Sequence, residues 1–133
     1  MAVQLSVAVR NARLNAVEVT IGESPTLDIR SGAQPENCAA ADAGTLLASM
    51  TLPADWMAAA DAGAKALSGT WQDASANAPG TAAHFRIKAG ATCHLQGSVT
   101  ATGGGGDLTL DNAVIAAGQS VTITAFTLTD GNA

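Results

Sequence analysis

From Thr26 onward, apolar residues recur at every second position in short runs, and each run is cut off by Gly, Pro, Asn or Asp. A pleated strand imposes that period, because its successive side chains leave opposite faces of a sheet. Thr26-Leu27-Asp28-Ile29-Arg30 is the first such run, and a strand over 45–52 follows a loop at 32–44 whose Gln34-Pro35-Glu36-Asn37 is turn chemistry. Pro53 ends that strand, and 54–63 reads as an Ala-rich connector able to take one helical turn around Trp56 and Met57. A short strand is expected over 67–72, then a turn at Asn77-Ala78-Pro79-Gly80. The clearest hairpin lies at 83–101. There Ala83, Phe85 and Ile87 alternate with His84, Arg86 and Lys88, Ala89-Gly90-Ala91 makes a tight connection, and Leu95, Val99 and Ala101 alternate with His94, Ser98 and Thr100. Gly103 to Gly106 have no side chains to pack and must form a loop or a close backbone approach. A strand at 108–110 follows, and in 119–129 the apolar parity of Val121, Ile123, Phe126 and Leu128 slips at Ala125, which predicts a bulge or a two-sided strand.

Only the first stretch departs from this pattern. Leu14, Val17 and Ile21 stand at helical offsets, with Arg10, Asn11, Arg13, Asn15 and Glu18 facing elsewhere and Gly22 as a stop. Because Leu5, Val7 and Val9 also alternate like a strand, the helix is expected to begin near Val9. Seven or eight strands after one helix define the expected fold class as mostly β: an antiparallel β-sandwich, with the jelly roll as one form of it. The N-terminal helix or arm is placed at 1–24 and the sandwich at 25–133, one domain overall, which suits a 133-residue chain with a single core.

Composition narrows the function. With 13% charged residues, a net charge of -5 and basic residues scattered from Arg10 to Lys88, no phosphate-binding face forms, so nucleic acid is excluded as a partner. Every hydrophobic run falls short of the roughly 18 to 20 residues of a spanning helix, so no membrane partner is expected. The opening segment lacks a basic n-region, which predicts cytosolic synthesis. Aromatic residues are 3% of the chain and Tyr is absent, so aliphatic residues and alanine must supply the core of a sequence that is 47% hydrophobic.

Candidate chemistry is sparse. Cys38 and Cys93 lie outside any C-x-x-C arrangement and read first as small half-buried residues, with a disulfide between them or metal ligation as alternatives. His84 and His94 fall on the polar face of the hairpin beside Cys93, yet zinc needs three or four ligands and Cys93 and His94 should point to opposite faces. They are weak metal candidates, read as exposed cross-strand histidines. Asp107, Asp111, Asp130 and Asn132 match no EF-hand spacing and read as solvated strand ends. No G-x-S-x-G is present, and no Gly-Lys-Ser/Thr follows the four glycines. The expectation is therefore a protein that is not an enzyme and takes no cofactor. Interaction is the leading class, with Val3, Val7, Leu14, Val17 and Ile21 of the arm, and Trp56 and Met57 of the connector, as interface candidates.

Several segments carry a resemblance. Ala12-Arg13-Leu14-Asn15-Ala16-Val17-Glu18 with Ile21-Gly22, Leu27 to Ala33 running to Cys38, Leu52-Pro53-Ala54-Asp55-Trp56-Met57, Gly69-Thr70-Trp71, and Gly118-Gln119-Ser120-Val121-Thr122 to Asn132-Ala133 together span nearly the whole chain. In these the chain resembles a family of small virion structural proteins of tailed bacteriophages. The resemblance implies a part of the particle: a capsid decoration or cement protein, a homotrimer that binds the major capsid protein or other virion proteins and is localised in the virion. A tail, neck or fibre-attachment component is the alternative within that class, and a carbohydrate-binding module using Trp56 is the alternative outside it.

Overall fold

The structure, a computed structural model, describes residues 3–131; Met1, Ala2, Asn132 and Ala133 lie outside the described residues. Helix α1 (Val7–Ile21) begins two residues earlier than the alternation suggests, because Ser6 caps it: the Ser6 Oγ accepts the Val9 N–H at 3.2 Å. It ends at Gly22, whose φ of 92° is open to glycine and whose N–H donates to the Glu18 carbonyl.

Eleven strands follow among the described residues: β1 (Thr26–Arg30), β2 (Leu46–Thr51), β3 (Ala64–Ala66), β4 (Trp71–Asp73), β5 (Gly80–Thr81), β6 (His84–Ala89), β7 (Thr92–Ala101), β8 (Leu108–Leu110), β9 (Val114–Ile115), β10 (Val121–Ile123) and β11 (Thr127–Thr129). A five-stranded sheet in the order β2-β1-β6-β7-β8 is joined by three two-stranded pairs, β10-β4, β11-β3 and β5-β9, in a mostly β, sandwich-like fold. A jelly roll has eight strands in two Greek keys; here the strands divide instead into one larger sheet and three small pairs. The parity slip at Ala125 marks the break between β10 and β11, which join different partners.

The inner face of the large sheet presents Leu27, Ile29, Met50, Phe85, Ile87 and Val99, all buried in one core with Trp56, Trp71, Val121, Ile123 and Phe126. All four aromatic rings of the chain line up through that core. Trp56 and Trp71 are 6.0 Å apart, Trp71 and Phe126 5.6 Å, and Phe126 and Phe85 5.6 Å edge to face. Trp56 and Met57 are thus core residues, 0% and 1% exposed, and offer a partner no surface. In so ring-poor a chain, the connector must supply what the strands do not.

The glycine run does two jobs. β7 and β8 pair in parallel, Val99 opposite Leu108, although only residues 102–107 connect them, where a parallel connection normally needs a long crossover. The chain turns straight back over its own strand. A Cβ on Gly104 would come within 2.8 Å of Thr100 Cβ, and one on Gly106 within 2.8 Å of the Thr100 backbone nitrogen.

Candidate interaction surface

Helix α1 docks by polar side chains. Asn11 Oδ1 accepts the Gly63 N–H at 2.9 Å, Asn15 Oδ1 accepts the Ala60 N–H at 3.0 Å, and Glu18 accepts the Met57 N–H at 3.4 Å. These three residues stand on one helical row and satisfy the backbone of the irregular 57–63 segment. Lys65, only 2% exposed, reaches into the same seam, donating to Asn15 Oδ1 and the Ala58 carbonyl and pairing with Glu18 at 2.8 Å. Trp56 Nε1–H closes the row on the Gly22 carbonyl. Leu14 and Ile21 are buried beside it, so they are docking residues of α1 and are closed to other partners. The expectation that Asn11, Asn15 and Glu18 face away from the domain is corrected: a side chain that ties down stray backbone N–H groups looks, in sequence, like one that faces water.

The outward arc is the reverse. Ala8, Val9, Ala12, Ala16, Val19 and Thr20 are all exposed, Val19 by 80%, and none is charged; the exposed Arg13 at the border of the arc is paired with Asp130. A solvent-facing helix surface ordinarily carries the charges and the docked one the apolar residues. Val3 and Val7, exposed by 75% and 48%, extend this surface toward the N-terminus.

Beside the arc runs a groove made of three adjoining depressions of about 320, 320 and 540 Å³; the first two share Arg13 and Val17, and the second and third share Leu95, Leu128 and Thr129. Half-buried Val17, Leu95 and Leu128 form its floor with Phe85 and Phe126. Residues 92–97 of β7 and the whole of β11 flank it, and each has one edge without a strand neighbour among the described residues.

The other candidate residues fall elsewhere. A bulge between Ile87 and Lys88 shifts the register of β7, so that Cys93 lies opposite Lys88 and His94 is displaced from the polar face. His94 lines the groove beside Ala16 and Val17, whereas His84 is fully buried with Nδ1 3.0 Å from the Gly32 carbonyl. The two histidines are therefore neither paired nor both exposed, and no group of three or more His, Cys, Asp or Glu able to hold a metal forms among the described residues. Asp107 accepts from the Ser98 backbone and hydroxyl, and Asp130 pairs with Arg13 at 3.1 Å. No helix among the described residues is long and apolar enough to cross a membrane.

On the outer face of the large sheet, the 31–45 loop folds down over Arg86, which the alternation alone places on a wet strand face. Its guanidinium, 2% exposed, donates to Gln96 Oε1, to Asp42 Oδ1 at 2.7 Å, and to the carbonyls of Asn37, Cys38 and Ala40. Lys88 at 2.7 Å and Arg30 at 3.3 Å complete the cationic ring around Asp42. Hydrogen bonds from Lys88 and then Arg86 bring the Asp42 carboxyl down to about 2. A carboxyl lowered on folding favours the folded state above the ordinary carboxylate range, and loses that advantage as pH falls from about 4 through 2. The urea midpoint of the parent is therefore expected to exceed that of Asp42→Asn at pH 6 and to converge with it by pH 2. A gap that persists unchanged at pH 2 would contradict this.

Near the helix C-terminus, Asp55 is raised by its hydrogen bond with Glu18, and Glu18 is lowered, burial being outweighed by the Lys65 and Asp55 hydrogen bonds. This carboxylate pair is engaged in docking α1. No family model, curated protein or solved structure matches the chain.

Proposed function

We propose that this protein is a non-enzymatic structural component of a tailed-phage virion, a capsid decoration or cement protein. Its contact surface is the outward arc of α1 with the adjoining groove. The class of particle rests on the sequence resemblance. The observation that carries an assembly role is the outward arc of α1: Asn11, Asn15 and Glu18 are locked inward beside Leu14 and Ile21, and a largely Ala/Val surface bordered by Arg13 is turned to solvent. Small side chains let another backbone approach closely, and covering the arc removes apolar surface, with Arg13 at its border already paired to Asp130. A homotrimer bound across several shell subunits would stabilise assembled capsid by mass action, since it binds only the assembled state. A carbohydrate-binding role has less support, because both tryptophans are fully buried and leave no aromatic platform.

The test is occupancy on particles lacking the protein. The parent chain is expected to bind the shell at fixed stoichiometry, and binding confined to one vertex would transfer the assignment to the tail or neck. Ala12→Glu combined with Val19→Glu is expected to change the unfolding free energy by no more than about 0.5 kcal/mol per site, as exposed substitutions do, while lowering shell affinity at least tenfold. Undiminished binding by this variant would remove α1 from the interface. Deleting α1 would not test the interface cleanly, because it would strand the buried Lys65 ammonium.

A further inference from the structure

We infer that Cys38 and Cys93 are a disulfide-forming pair that fastens the 31–45 loop to the outer face of the five-stranded sheet. Their sulfurs stand 2.9 Å apart across a separation of 55 residues, one on the loop and one on β7. Bond formation asks for a closing of about 1 Å from this separation to the S–S bond length.

The fold prepares this approach from both sides. On the sheet side, the bulge at Ile87 and Lys88 turns Cys93 onto the face that carries Arg86. On the loop side, the base is closed by Ser31 N–H on the Thr45 carbonyl and Thr45 N–H on Ser31 Oγ, each at 3.1 Å. Gly44 permits that closure, since a Cβ there would collide with the Ser31 carbonyl and its φ is +71°. The Arg86 guanidinium then holds the Cys38 carbonyl itself at 3.1 Å, which fixes the backbone that carries the thiol. Both thiols are half-buried and open onto a cleft of about 310 Å³ that Arg86, Asp42 and Thr92 also line, wide enough for a small reagent.

The oxidant is a low-molecular-weight disulfide, and the chemistry is two exchanges. Burial and the neighbouring thiol push Cys93 up to about 11, so it is a poor first nucleophile. Cys38, as thiolate, attacks the reagent, forming a mixed disulfide and expelling one thiolate. Cys93 then loses its proton to solvent and attacks the Cys38 sulfur, expelling the second. Two electrons and two protons pass from the protein thiols to the reagent, which leaves as two thiols.

The experiment equilibrates the purified chain with mixtures of oxidised and reduced glutathione, blocks residual thiols by alkylation, and reads mass and thermal midpoint. The expected product is a monomeric chain lighter by two hydrogens, with no alkylated cysteine and a midpoint raised by about 10 °C over the reduced form. Cys38→Ser and Cys93→Ser are each expected to abolish the midpoint rise under the same oxidant, and Cys93→Ser to stop at the glutathione adduct on Cys38. Two alkylated thiols at every mixture, a stable adduct on the parent chain, or disulfide-linked dimers would each overturn the pairing. A bond that forms without raising the midpoint would overturn the fastening role.

Discussion

Arg86→Met is expected to lower folding stability by about 3–5 kcal/mol, a large share of what a domain of this size holds in reserve. The substituent has nearly the length of the arginine stem and leaves little void, so the loss is electrostatic. Removing the guanidinium strands Gln96 Oε1, the carbonyls of Asn37, Cys38 and Ala40, and one oxygen of Asp42. Each abandoned acceptor that water cannot reach costs about 1–3 kcal/mol, and loosening of the loop to admit water limits the total. Arg86→Lys keeps the charge but replaces a planar five-donor fork by a point ammonium, and should recover only part of the loss. Urea unfolding at neutral pH measures both. A deficit below about 1 kcal/mol for Arg86→Met would mean that the loop closes without its clamp.

Trp71→Ala is expected to cost a comparable 3–5 kcal/mol, roughly the range for emptying a large aromatic site. Trp71 touches Trp56 on one side and Phe126 on the other, and is fully buried. Its Nε1–H lies 3.2 Å from both the Trp56 and Ser68 carbonyls, so truncation also leaves the connector unanchored. Trp71→Phe separates the two contributions, since it retains an aromatic neighbour for Phe126 and loses the N–H. It should fall between parent and alanine variant in thermal unfolding, and equal losses for the two substitutions would place the whole effect in the indole hydrogen bonds.

The elements that sequence reading located well are those whose residues state their own geometry. Thr26 to Arg30 alternates cleanly and forms β1 with those bounds, and the 83–101 alternation forms the β6–β7 hairpin. The elements it missed have no pattern to read: β5 and β9 are two residues each and exist only because each finds the other. Trp56 stands outside any strand, where a tryptophan resembles a surface anchor, and only the shortage of other rings argues for the interior it occupies. His94 was misplaced by one bulge, which a strict period of two cannot register. The outward arc of α1 was illegible for a different reason. Alanine is compatible with either side of a helix, so its location says nothing until the docked side is known, and that side was disguised by its asparagines.

The grip of α1 on residues 57–63 engages peptide groups, so the helix recognises the path of that segment and is indifferent to most of its side chains. Ala58, Ala59 and Asp61 point into solvent or lie near it and can be rewritten without unlocking the helix. Met57, buried in the core, and Gly63, whose φ of +76° suits glycine, have no such freedom. Epitopes or dyes placed at 58 or 59 would therefore report on the back of the helix seam while leaving its outward surface untouched.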